Sequence, residues 1–124
     1  MTENKIRAHV TRLFRSQGAT VYPMIAGDFR PAGIPDLLVW HASGCYLIEI
    51  KGAKTRVTPK QLAEIALLGK RRPGCALLAR AVEGQELERC VVTWPNGLHE
   101  DWECAWGELL RLLLAVREGV NSDA

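Results

Sequence analysis

The chain has 124 residues, 48% of them hydrophobic and 24% charged, which suits one domain over 1–124 and leaves little room for a second. That composition excludes a disordered, collagen-like or low-complexity chain. No apolar run reaches the roughly 18 residues that suggest a membrane span, and Met1-Thr2-Glu3-Asn4-Lys5 is not followed by the apolar core of a secretory signal. The net charge of +2 hides an asymmetry: seven basic residues against Glu64 between Lys51 and Arg72, then six acids against Arg89 between Glu83 and Glu103. Such a division fits a protein with one face turned to a polyanion, or simply two solvated faces of opposite sign. Cys45, Cys75, Cys90 and Cys104 form no C-x-x-C pair, so reduced, mostly buried thiols in a cytoplasmic protein are expected.

In chain order, Ile6, Val10, Leu13 and Phe14 recur at helical spacing over 2–17, with Thr2 to cap the start and Gly18 to close the end. Residues 19–25 read as an edge strand because Pro23 lies within them. Gly27 and the stretch from Pro31 to Gly33 mark a loop, 35–41 a second strand, Ser43-Gly44 a turn and 45–51 a third strand. Thr58, Pro59 and Gln61 form a T-x-x-Q capping box with proline at the first helical position, opening a helix that runs to about residue 70. Strands are expected over 75–79 and 89–94, with turns at Glu83-Gly84 and Pro95-Asn96-Gly97, and a last helix over 103–118. The order α-β-β-β-α-β-β-α predicts an α/β sandwich, a mixed sheet flanked by helices.

Charged residues interrupt two of the strands. Asp36 opens Pro35-Asp36-Leu37-Leu38-Val39-Trp40, and Glu49 and Lys51 end Tyr46-Leu47-Ile48-Glu49-Ile50-Lys51. Alternation puts Glu49 and Lys51 on one face with Cys45 and Leu47, and Tyr46, Ile48 and Ile50 on the other. A loop over 41–44 sets Asp36 opposite Glu49; a loop of Ser43-Gly44 alone sets it opposite Lys51; a three-residue loop parts Asp36 and Glu49 to opposite faces. Directly paired carboxylates, about 4.5–5.5 Å apart at Cβ, need a proton or cation between them. Oxygen donors of this kind suit Mg²⁺. Lys51, one pleat on, can hold or help deprotonate a water on that ion, and the set serves phosphodiester hydrolysis. A solvated Asp–Glu–Lys network is the plain alternative.

Three stretches carry a resemblance: Gly33-Ile34-Pro35-Asp36, then Glu49-Ile50-Lys51-Gly52, then Lys54-Thr55-Arg56-Val57-Thr58-Pro59-Lys60-Gln61. They resemble the PD-(D/E)XK nuclease superfamily, and within it the VRR-NUC family in the short stand-alone form typical of phages and bacteria. The likeness runs from about residue 3 to 79. It implies a restriction-endonuclease-like fold and DNA cleavage dependent on Mg²⁺ or Mn²⁺. It implies Asp36, Glu49 and the Ile50 carbonyl as metal ligands, Lys51 as the catalytic lysine, Gln61 as the helix glutamine, and Glu3 as the counterpart of a first-helix glutamate. Stand-alone members suggest branched DNA, such as a four-way (Holliday) junction, as substrate. A flap or nicking nuclease, or a non-catalytic DNA-binding module of the same fold, is the rival reading.

Glu3 falls on the stripe of Ile6, Val10 and Leu13, where an acid either reaches the metal site or complements the helix dipole. Gln61 falls on the stripe of Leu62, Ile65 and Leu68, compatible with capping and with a role at the site. Lys54, Arg56 and Lys60, just after Lys51, and Arg30 before the first motif are candidate phosphate contacts, helped by the exposed N–H groups of the helix starting at Thr58-Pro59. Lys70, Arg71 and Arg72 suit the helix dipole, His9, His41 and His99 lack metal-ligand spacing, and Trp94, Trp102 and Trp106 read as packing residues. In the closing helix Trp102, Trp106, Leu109, Leu110 and Leu113 form one stripe. Leu112, Leu114 and Val116 widen it, which predicts a homodimer.

Overall fold

The computed structural model describes residues 1–24, 35–42, 44–95 and 100–122, with side chains through Val116. Arg30, Gly33, Ile34 and His99 lie outside the described residues.

Helix α1 (Glu3–Ser16) starts where Thr2 accepts the Lys5 N–H, and the chain turns out of it at Gly18, whose φ of 89° favours glycine. Strands β1 (Thr20–Pro23), β2 (Leu37–His41) and β3 (Gly44–Lys51) follow, then α2 (Pro59–Arg71), β4 (Ala76–Val82), β5 (Gln85–Thr93) and β6 (Trp102–Ala105). A short 3₁₀ turn, Trp106–Glu108, leads into α3 (Leu109–Ser122). The strands lie in sequence order in one six-stranded sheet. Only β3 and β4 are parallel among the described pairs, because α2 carries the chain back between them. Pro23 sits in β1 at the sheet's edge, where its missing N–H breaks no interior ladder.

Alternation along the strands sorts the two faces. Val21, Leu37, Val39, Tyr46, Ile48, Ile50, Leu77, Ala79, Cys90 and Val92 join Ile6, Val10 and Phe14 of α1 and Leu109, Leu110 and Leu113 of α3 in one core. Full burial of each larger side chain contributes roughly 1.5–3 kcal/mol. The opposite face carries Leu47, Glu49 and Lys51 of β3 and Ala76, Leu78 and Arg80 of β4, and α2 packs over β4 there.

Three expectations need correction. The last helix does not begin at residue 103: Trp102–Ala105 is a strand paired with β5, and Trp102 packs edge-on against Trp94, ring centroids 4.8 Å apart. The closing helix is also less widely apolar on its surface than its composition suggests, because Val116 is buried and Leu112 packs against the core. Leu114 is its one large exposed hydrophobic among the described side chains. Leu62 does not face inward with Ile65; it is exposed. Cys90 and Cys104 are buried as free thiols, facing each other across β5 and β6, whereas Cys45 is exposed. Among the described residues, no helix is long and apolar enough to cross a membrane.

Candidate active site

The β2–β3 ladder runs Trp40↔Cys45 to Leu37↔Ile48, so Asp36 falls next in line beside Glu49, the first of the three registers. Asp36 does not point into solvent. Its Oδ2 accepts the Ile50 N–H at 2.9 Å, which fixes the carboxylate against β3. Glu49 and Lys51 share the face that alternation assigns them, and both are buried, 1% and 6% exposed. Charges so deeply buried require partners. Lys51 Nζ lies 3.6 Å from Glu49 Oε2, and Gln61 Nε2 donates to the same oxygen at 3.3 Å.

Glu3 arrives from the first turn of α1. Its Oε2 accepts the Gly52 N–H at 3.3 Å, and its Oε1 meets Arg7 Nη2 at 3.2 Å. One carboxylate oxygen from each of Glu3, Asp36 and Glu49 lies within 4.8 Å of the others. Three elements thus converge at the end of β3. The packing is close at Gly52: a Cβ there would stand 3.0 Å from Thr55 Oγ1, tight enough that the Thr55 side chain would have to shift, and 4.0 Å from Glu3 Cβ, an ordinary contact.

Gln61 caps α2 and also touches Glu49. Its Oε1 accepts the Thr58 N–H at 3.1 Å, its own N–H donates to Thr58 Oγ1 at 3.1 Å, and its amide still reaches Glu49. The same capping box weakens the anion site expected at this helix start. Gln61 N–H is taken, Leu62 N–H goes to the Thr58 carbonyl, and Pro59 has none to offer.

Lys54 and Arg56 of the basic loop after Lys51, and Lys60 in the first turn of α2, are exposed. Lys54 is already paired with Glu83 Oε1 at 3.0 Å. Two residues absent from the sequence reading belong here. Arg7 bridges Glu3 and Asp36, its Nε 3.4 Å from Asp36 Oδ2. Arg80, paired with Lys51 across β3 and β4, donates from Nη1 to the Gly52 carbonyl at 3.0 Å and to the Thr55 carbonyl, holding the loop against the sheet. The only sequence signal for Arg7 was its position four residues after an acid on an apolar stripe; Arg80 had none.

The donor set is all oxygen, with three carboxylates converging, and so fits a hard divalent cation such as Mg²⁺ or Mn²⁺. The mixed sheet flanked by helices, with Asp36, Glu49 and Lys51 at one end of its central hairpin, is the restriction-endonuclease-like fold.

No protein-family model matches the chain. Over 70 residues, 51% of its length, it is 37% identical to human Fanconi-associated nuclease 1, and it spans 7% of that relative. It superposes on a solved VRR_NUC domain with a TM-score of 0.53 and 27% identity, over 64% of this chain and 84% of that one. It also superposes on Hjc of Archaeoglobus fulgidus, a Holliday junction resolvase, with a TM-score of 0.57 over 89% of this chain and 92% of that one. At 12% identity the second likeness concerns the fold alone. Together with the motifs around Asp36, Glu49 and Lys51, the sequence and domain likenesses support the resemblance to the VRR-NUC family.

Proposed function

We propose that this chain is a divalent-metal-dependent DNA endonuclease that acts on branched DNA such as four-way junctions. The observation that carries the reading is the convergence of Glu3, Asp36 and Glu49 within 4.8 Å, beside a buried lysine. The nuclease named among its relatives and the junction resolvase that shares its fold support it.

Asp36 and Glu49, with the Ile50 carbonyl and Glu3, would hold the ion. When bound, Mg²⁺ or Mn²⁺ supplies Lewis-acid polarisation of the phosphate and a stronger nucleophile at neutral pH. Lys51 Nζ, held at Glu49, orients the attacking water and carries a proton donor at the phosphate. Gln61 fixes Glu49 from α2, so the carboxylate does not depend on Lys51 for its position. Arg56, Lys60 and Lys54 contact phosphates beside the site without reading sequence; Arg30 belongs to the same proposal, outside the described residues. The protein works in the cytoplasm of a bacterial or phage-infected cell.

A homodimer would set two such sites on one junction. The closing helix supports it less than its composition did, with Leu114 its exposed leucine. Light scattering that returns a mass near 13.8 kDa removes the dimer.

The test is a cleavage assay with Mg²⁺ across linear duplex, single strand, flap and four-way junction. Junction cleavage lost in Asp36→Asn and in Lys51→Ala, with both folded, is the expected result. Full cleavage by either variant refutes the site. Flap cutting alone moves the substrate to the rival nuclease class.

A further inference from the structure

We propose that Arg7 is the resident counter-ion of the carboxylate cluster and sets how tightly that cluster takes up a divalent cation. The inference rests on the metal-site reading above. Arg7 lies one turn along α1 from Glu3, and an exposed (i, i+4) pair would explain its Nη2 contact with Glu3 Oε1 at 3.2 Å. It does not explain the rest of the side chain. The Nε is buried, has no hydrogen-bond partner among the described residues, and stands 3.4 Å from Asp36 Oδ2, an acid from another element. A surface arginine would leave that group in water, because burying a donor without an acceptor is unfavourable. Here its ion pair with Asp36 is what the position achieves. Nη1 is anchored separately on Asn4 Oδ1 at 2.7 Å, so the guanidinium is held between the two acids.

Charge accounting gives the consequence. Glu3, Asp36 and Glu49 face two cations, Arg7 on the first two and Lys51 on the third. One negative charge is in excess. Without Arg7 the excess is two, which a divalent ion neutralises. Arg7 thus keeps the cluster assembled before the ion arrives, and it repels the ion once there. Its removal is expected to tighten metal binding, the reverse of what loss of a ligand or a positioning group does.

The experiment is titration of the full chain with Mn²⁺, without DNA, following free Mn²⁺ by electron paramagnetic resonance, with thermal midpoints in EDTA and in saturating Mn²⁺. Arg7→Gln is expected to bind Mn²⁺ about tenfold more tightly than wild type, since a unit charge a few ångströms from a divalent ion repels it strongly even at high effective dielectric. Its midpoint in EDTA falls, and Mn²⁺ raises it by more than in wild type. Arg7→Lys, which keeps the charge, stays within about threefold of wild type. Unchanged or weaker binding in folded Arg7→Gln overturns the proposal and leaves the metal site standing. Wild type that binds no Mn²⁺ overturns both. Should Arg7→Gln be unfolded in EDTA, refolding by Mn²⁺ supports the proposal and failure to refold refutes it.

Discussion

Gln61 joins the helix cap to the site, and two substitutions separate its roles. Gln61→Glu keeps an acceptor for the Thr58 N–H, because a capping box accepts either residue at this position. It replaces the amide that donates to Glu49 Oε2 at 3.3 Å with a second carboxylate. Two unit charges at that distance repel by about 5 kcal/mol at an effective dielectric near 20. Residue 61 is half-buried and can turn partly outward, so the expected loss is about 1–3 kcal/mol in EDTA. For a chain of this size that lowers the melting midpoint by roughly 3–15 °C. Gln61→Ala loses the cap contact and the hydrogen bond to a charged group, together about 2–3 kcal/mol, without adding charge. Divalent metal therefore recovers most of the loss in Gln61→Glu and little in Gln61→Ala. Differential scanning fluorimetry in EDTA and in Mn²⁺ reads both. A Gln61→Glu protein as stable as wild type in EDTA would show that the Glu49 contact is immaterial and that Gln61 only caps α2.

If the loop after β3 binds phosphates, Arg56→Ala and Lys60→Ala should each lower the log–log salt slope of DNA binding, measured in Ca²⁺, by about 0.9. Lys54→Ala should change it less, because Lys54 is already paired with Glu83; slopes unchanged from wild type in all three variants contradict the placement. Arg80→Ala frees the Gly52 and Thr55 carbonyls and is expected to weaken DNA binding several-fold while Mn²⁺ affinity holds, since the Nη1 hydrogen bonds it loses are to loop carbonyls; unchanged DNA affinity refutes that. Thiol labelling of the native protein at pH 7.5 should modify exposed Cys45 first. Burial raises the Cys75 thiol above its ordinary 9.0, so its labelling rate keeps climbing as pH passes 9.0, and rapid labelling at neutral pH contradicts it.

The parts of the fold that were legible share a cause: each is dictated by neighbours close in sequence. Thr58, Pro59 and Gln61 define a helix start by capping chemistry alone, and α2 begins there. Alternation of Tyr46, Ile48 and Ile50 against Leu47, Glu49 and Lys51 assigns β3 its faces without reference to any other strand. The β6–α3 junction failed for the same reason. Trp102, Trp106, Leu109, Leu110 and Leu113 satisfy a helical stripe, but Trp102, Cys104 and Trp106 also satisfy a period of two. Only pairing with β5, set by tertiary contact, selects the strand.

The site divides along the same line. Asp36, Glu49 and Lys51 stand out because an ionised group on a half-buried strand needs a partner, and hairpin geometry limits where that partner can be. Glu3 stands out more faintly, as an acid on an apolar stripe, because which of its two roles applies depends on where the end of α1 packs. Its contact with Gly52, 49 positions away, brings it to the end of β3. Arg7 and Arg80 break no local rule. Arginine is ordinary on an amphipathic helix and near a strand end, and its long side chain lets a distant neighbour decide what it does. What marks them in three dimensions is their choice of acceptors. Arg7 spends its buried Nε on a carboxylate from another element, and Arg80 spends Nη1 on two loop carbonyls. A cation that gives up water for such partners is holding something in place: in one case the charges that would receive a metal, in the other the loop that would receive a phosphate.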